Sequence, residues 1–233
     1  MKSTDIIMNE ELETLENLGN GYRILQRRDA FRFGTDAVKL ADFTNVKPGD
    51  AIMDLCTGTG IVPILLHNRA SSLSVTGLEL QEQIAEMAER SVKLNGLTDS
   101  IKIVQGDVRE VRKNFAAESF HVVTCNPPYM KNETGKQNLT ESVSIARHEI
   151  CCNLEDCITA AAYLLRSGGR FTMVHRPERL TDIMALMRRE RLEPKRLAFF
   201  ADGKGNIPRL LVIEGQKNRN SGLIVTLHTG EGV

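Results

Sequence analysis

The residues with the clearest chemical potential are Asn126-Pro127-Pro128-Tyr129, which follow directly on the apolar run Phe120-His121-Val122-Val123-Thr124-Cys125. Two consecutive prolines fix φ and remove two backbone donors, so a strand ends at Cys125 and the chain leaves it extended. The result is a rigid polar lip at a strand end. Such a lip suits methyl transfer to a planar NH2 group, whose delocalised lone pair makes the nitrogen a poor nucleophile. The Asn126 side-chain oxygen and the Pro127 carbonyl would each accept one of the two hydrogens and drive electron density onto nitrogen, while Tyr129 stacks on the flat substrate. No general base is needed. Proline loops also follow strands for structural reasons alone, so the tetrapeptide takes its meaning from what precedes it.

What precedes it is a set of acids at the ends of successive apolar runs. Asp54 opens Asp54-Leu55-Cys56-Thr57-Gly58-Thr59-Gly60, in which glycines let the backbone approach a ligand at a helix N-terminus. Glu79 ends the next run about 20 residues on, where an acid can hold both ribose hydroxyls, and Asp107 ends the third, in reach of an adenine amino group. The dinucleotide pattern G-x-G-x-x-G is not met, because Pro63 stands at the third glycine. An acid four residues before Gly58 points instead to S-adenosylmethionine, which has a cationic methionine end and no pyrophosphate. Singly, each acid has a plainer reading, as a cap partner (Asp54), a surface acid (Glu79) or an N-cap (Asp107). Their joint occurrence ahead of Asn-Pro-Pro-Tyr favours the cofactor reading.

These residues need a scaffold that brings strand ends together. Strands are expected at 51–55, 73–79, 101–105, 120–125 and 170–175, with helices from Ile61 to about Arg69, from Gln81 to Leu94 and from Pro177 to about Arg191, and another carrying Leu154, Cys157, Ile158, Ala161 and Leu165. Alternating β and α at this spacing implies a doubly wound parallel sheet with ligands at its carboxyl edge. Two closing strands, 196–200 and 210–214, joined without a helix, would add an antiparallel edge. Ahead of this domain, residues 1–19 carry at most a short helix, Tyr22–Gln26 and Ala30–Phe33 read as a hairpin turning at 27–29, and Thr35 reads as the N-cap of a helix. The polar stretch from Met130 to about Ser144 is long for a passive connection and reads as functional.

At 233 residues the chain fits one sizeable α/β domain. Its apolar runs are too short to cross a bilayer, and Met1-Lys2-Ser3-Thr4-Asp5 lacks a signal core, so a cytoplasmic protein is expected. Five cysteines argue for reduced thiols. Cys151, Cys152 and Cys157 lie near His148, but no C-x-x-C pair occurs and adjacent helix thiols diverge, so no metal site is expected. The net charge is zero, which leaves nucleic-acid contact to local clusters. The candidates are Arg23, Arg27, Arg28, Lys131, Lys136, Arg147 and Arg176, each of which also reads as a solvated surface cation.

Taken together, Phe31 to Val38 (FRFGTDAV), Asn126 to Tyr129 (NPPY), Ala146 to Glu149 (ARHE) and Met173 to Arg179 (MVHRPER) resemble the tRNA1(Val) adenine-N6-methyltransferase family, from about Tyr22 to Gly215. The resemblance implies a Rossmann-like, seven-stranded class I methyltransferase sheet with an antiparallel edge strand, in a domain from 49 to 233 behind an N-terminal extension of 1–48. It implies methylation of N6 of the adenosine 3′ of the anticodon, at tRNA position 37, from S-adenosylmethionine. Asp54, Thr57, Gly58 and Gly60 would hold the methionine part, Glu79 and Leu80 the ribose, Asp107 and Val108 the adenine, and Asn126, Pro127, Pro128 and Tyr129 the target base, with Thr35 and Asp36 covering the cofactor. Cys56 stands where many relatives have glycine, which implies a negative φ there. A release-factor glutamine N5-methyltransferase would use the same four residues, but that family has a sizeable helical domain ahead, and only about 50 residues precede Asp54 here. A DNA adenine methyltransferase needs a target-recognition domain, guanine-N2 rRNA enzymes tend to carry a duplicated domain, and a binding-only relative would not need these acids.

Overall fold

A computed structural model describes residues 8–9, 11–19, 21–28, 34–128, 152–201 and 207–229. Tyr129, Lys131, Lys136, Arg147, the segment 30–33 and the stretch 130–144 lie outside the described residues.

Five strands run parallel with their carboxyl ends on one edge: β3 (Ala51–Leu55), β4 (Ser74–Glu79), β5 (Ile101–Gln105), β6 (Phe120–Cys125) and β7 (Leu165–His175). β8 (Leu192–Ala201), β9 (Pro208–Lys217) and β10 (Ile224–Thr229) extend the sheet to eight strands in the order β10-β8-β9-β7-β6-β3-β4-β5. The fold class matches the sequence pattern, with three differences of detail. β7 begins at Leu165, which was expected on the preceding helix, because the strand runs through 166–169 to pair Leu165 with Phe120. The antiparallel strand is β9, and it sits inside the sheet between β7 and β8. An eighth strand, β10, lies parallel to β8 at the edge, where its residues are exposed and give no burial pattern to read from sequence.

Strand alternation sends successive side chains to opposite faces, and helices cover both. Ile52, Val75, Ile103, Val122 and Val212 pack under α1 (Thr35–Phe43), α2 (Ile61–His67) and α3 (Glu82–Leu94). Met53, Leu55, Leu78, Val123, Phe171 and Ile213 pack with α4 (Val111–Asn114), α5 (Leu154–Leu164) and α6 (Leu180–Arg189). α3 ends as its Asn95-Gly96 sequence implies: Gly96 takes φ +67° and Leu97 N–H reaches back to the Val92 carbonyl at 3.1 Å. None of the described helices is long and apolar enough to cross a membrane.

One row of side chains breaks the apolar pattern. Gly77, Asp54, Thr124, Thr172, Glu214 and Arg196 are register partners on six adjacent strands, so they cross the sheet side by side.

The N-terminal hairpin differs from expectation. β2 (Tyr22–Arg27) pairs with β1 (Glu13–Gly19), and residues 13–19 are extended, not helical. Gly19, which pairs with Tyr22, and Gly21 take φ +78° and +81°, and this tight glycine turn outweighs the charged 27–29 stretch. α3 anchors the hairpin: the Asn95 side chain bonds both the N–H (2.9 Å) and C=O (2.6 Å) of Arg23, Ser91 Oγ accepts from Leu25 N–H, and Arg90 pairs with Glu13 at 2.6 Å. Arg90 holds the Glu13 carboxyl below its usual range. In α1 the N-cap is Gly34 in extended conformation without a side-chain cap, and Thr35 is the first helical residue, a correction to its expected capping role.

Candidate active site

Register places Leu55 beside Leu78 and Cys125, Glu79 beside Gln105, and Cys125 beside Met173. Asp54, Glu79, Asp107, Asn126 and Arg176 therefore gather along one edge of the sheet. α1 aims its N-terminal turn the same way, because the loop after its C-terminus is tied to the opposite edge by Arg170 Nε donating to the Asn45 carbonyl at 3.1 Å. Thr35 there is exposed and Asp36 half-buried.

The glycine loop between β3 and α2 is built on hydrogen bonds to its own neighbours. Thr57 N–H donates to the Leu78 carbonyl (3.0 Å) and Gly60 N–H to the Thr57 carbonyl (3.1 Å). Gly58 and Gly60 take φ +56° and +83°. A Cβ on Gly58 would meet nothing within 4 Å, so the space over the loop is open to a ligand, whereas one on Gly60 would press the Ala88 side chain at 3.3 Å. Cys56 corrects the expectation of a negative φ: it sits at φ +57°. A side chain there costs about 1–2 kcal/mol against glycine.

Asp54 is 1% exposed, and its two oxygens accept from Thr57 Oγ1 (2.7 Å) and Thr124 Oγ1 (2.6 Å). Burial raises its carboxyl to about 7 against the pull of these hydroxyls, with the Glu79 charge adding to the rise. Thr124 escaped the sequence reading; its signal is a hydroxyl inside an apolar strand, at the register position of Asp54. Glu79 is buried and accepts from Gly58 N–H and Gln81 N–H, both at 3.0 Å. Those two amides fix its orientation. Leu80 beside it is half-buried.

Asp107 caps the 3-10 turn Val108–Glu110, accepting from Arg109 N–H at 2.8 Å, and pairs with the Arg109 guanidinium at 2.5 Å, which keeps its carboxyl below the usual range. For Asp107 to accept an adenine amino group, Arg109 must yield part of that fork. Val108 is buried beneath. Asn126 and Pro128 are half-buried and Pro127 buried at the tip of β6.

The cationic candidates are split. α3 starts at the site edge and, at 13 residues, runs about 20 Å away from it. Arg27 lies near its start, donating to Gln83 Oε1 at 3.2 Å, whereas Arg23 is fixed at its far end by Asn95. Arg28 donates to the Glu13 carbonyl at 3.1 Å, and Arg176 follows β7 on the site edge, donating to the Arg209 carbonyl at 3.1 Å. His175, buried beside it, accepts from Arg176 N–H through Nδ1 (2.8 Å), and burial lowers it to about 4.

Cys56, Cys125, Cys152 and Cys157 converge behind the loop, a meeting that the sequence reading did not anticipate. Cys151 and His148 lie outside the described residues.

A doubly wound sheet with a glycine loop after its central strand, acids at the next two strand ends and Asn-Pro-Pro at the fourth defines a class I methyltransferase architecture. The chain belongs to the methyltransferase small domain family, whose pattern it matches over residues 33–189. It is 29% identical over 174 residues to a tRNA1(Val) (adenine(37)-N6)-methyltransferase of Porphyromonas gingivalis, covering 72% of this chain and 68% of the relative. Among solved structures it is similar to a predicted O-methyltransferase of Agrobacterium tumefaciens (TM-score 0.68, 22% identity, covering 85% of this chain and 89% of that one). It is also similar to a geranyl diphosphate methyltransferase in complex with S-adenosylmethionine (TM-score 0.54, 16% identity, 78% and 84% covered).

Proposed function

We propose that this methyltransferase transfers a methyl group from S-adenosylmethionine to N6 of an adenosine in tRNA, at position 37 of tRNA1(Val). The observation that carries the reading is the convergence of Asp54, Glu79, Asp107 and Asn126-Pro127 on one sheet edge, in the order a nucleoside cofactor and a planar amine require. The relative's printed activity supports the substrate.

S-adenosylmethionine, when bound, supplies an electrophilic methyl group. The residues present fit it. Gly58 leaves open space over the loop, Asp54 offers a buried carboxylate to the cationic methionine end, and Glu79 is pre-oriented by two amides for a ribose diol. Asn126 and the Pro127 carbonyl accept the two amine hydrogens, which raises electron density on nitrogen as the new bond forms. The proton leaves the product ammonium to solvent, so no side chain need act as base. Tyr129 supplies the stacking face. An anticodon loop offers unstacked bases, so the target enters at modest cost, and Arg27 and Arg176 lie on the edge it would approach.

Incubation with methyl-labelled cofactor and separate pools of tRNA, rRNA, DNA and release factor, followed by nucleoside analysis, tests the reading. Label in N6-methyladenosine from tRNA is expected; label in a glutamine side chain or in guanine would move the assignment. Asn126→Ala should lower turnover about 10²–10³-fold with cofactor affinity nearly unchanged, as removal of one transition-state contact does. Retained turnover would remove Asn126 from the mechanism.

A further inference from the structure

Four thiols that the reaction above does not use meet in the core behind the cofactor loop. They come from three separate parts of the chain. Cys56 follows β3 in the glycine loop, Cys125 is the last residue of β6 immediately before Asn126, and Cys152 and Cys157 flank the first turn of α5. Cys125 and Cys157 have zero exposure, Cys152 8%. The sulfur atoms of Cys56 and Cys152 are 3.6 Å apart and those of Cys152 and Cys157 3.7 Å. Those of Cys56, Cys125 and Cys157 lie within 4.8 Å of one another. The four sulfurs thus form two triangles hinged on the Cys56–Cys157 edge.

This is close to the geometry of a tetrathiolate metal centre. A zinc–thiolate bond of about 2.3 Å gives a tetrahedral sulfur–sulfur edge of about 3.8 Å. The edges at 3.6 and 3.7 Å already have that length, those among Cys56, Cys125 and Cys157 are at most 4.8 Å, and a bound metal would draw Cys125 in to complete the tetrahedron. The donor set is all soft sulfur, which selects zinc and similar thiophilic cations over magnesium or calcium. The site abuts the N-terminal turn of α5, an end that favours anionic groups. We propose that Cys56, Cys125, Cys152 and Cys157 form a structural site for one zinc-class divalent cation, pinning the cofactor loop, the Asn126 tip and α5 to a common centre.

Loading forms four sulfur–metal bonds, releases four thiol protons to solvent and moves no electrons, leaving a site of net charge −2. Cys125 and Cys157 are fully buried, out of reach of a soluble reaction partner, which argues for a structural role over a reactive one. The alternative is four thiols packed as small apolar groups, for which contacts of this length are also ordinary. The inference stands apart from the substrate reading, since metal content is measured without turnover.

The full chain, expressed with added zinc and purified under reducing conditions without metal-affinity resin, is measured by elemental analysis and native mass spectrometry. One zinc per chain is expected, released by a mercurial thiol reagent. Cobalt reconstitution should give an intense thiolate-to-cobalt charge-transfer band with tetrahedral d–d bands. Cys152→Ser and Cys157→Ser should each lower metal affinity at least tenfold while keeping the wild-type far-ultraviolet dichroism. Should those variants not fold, the wild-type measurements decide alone. Substoichiometric zinc both as purified and after incubation of reduced protein with zinc, cobalt binding without the charge-transfer band, or a disulfide among these residues in fresh protein would each overturn the proposal.

Discussion

Asp54 and Glu214 lie on the same transverse row of the sheet and are almost equally buried, at 1% and 2% exposure. Burial raises both carboxyls. They differ in what faces them. Glu214 has the Arg196 guanidinium at 3.2 Å and the Arg170 charge nearby, whereas Asp54 receives two neutral hydroxyls. A carboxylate whose cation the fold supplies has no charge to offer a ligand. One held only by hydroxyls has no built-in cation, so a cationic ligand would be the group that favours its charged form. The contrast separates an acid that braces the sheet from one suited to a cationic cofactor.

The effect on stability expected at every pH comes from removing the built-in cation. Arg196→Ala leaves Glu214 buried without its partner and should cost about 3 kcal/mol, near the lower end for a broken buried pair since Arg196 is partly exposed. Cofactor affinity, measured by calorimetry, should not change; a large loss of affinity would erase the distinction.

Asp54 is tested through pH. Its folded value of about 7 lies above its ordinary 3.8, so the native state binds the proton more tightly than the unfolded chain. Its contribution is fully present below pH 4 and is lost as pH rises toward 7, by at most about 4 kcal/mol. Asp54→Asn should remove that decline from melting curves taken across pH 4 to 8, and a variant tracking wild type would show that the carboxyl is ionised throughout. Glu79→Ala should weaken cofactor binding about 10- to 100-fold, the loss of one or two charged hydrogen bonds, with an unchanged Kd placing the ribose elsewhere. The smallest effect separates the two ends of α3. Arg27→Ala should reduce the salt dependence of tRNA binding by about one unit, while Arg23→Ala, at the far end, leaves it alone. Equal effects would mean that RNA wraps the whole hairpin.

How much of this was legible from sequence follows from where the information lies. β5 and β6 run over the residues their apolar patterning marks, because strand and loop composition change sharply at Gly106 and at Asn126. The acids were legible because each sits at the end of such a run. The hairpin partner was not, since Leu15 and Leu18 are spaced as on a helix face while Phe31-Arg32-Phe33 alternates, and only the tight turn favours pairing with 13–19. β10 was missed because none of its side chains is buried. Thr124 and the thiol cluster are products of tertiary register: neither the pairing of Thr124 with Asp54 nor the meeting of residues 56, 125, 152 and 157 leaves a spacing in the chain.

The left-handed turn at Cys56 carries a consequence of its own. Glycine would settle into that bend without strain and would leave a hole where sulfur now touches sulfur. By holding a side chain in so awkward a backbone pose, the turn gives up ease of folding for a fastening that reaches from the mouth of the active site to the helix behind it.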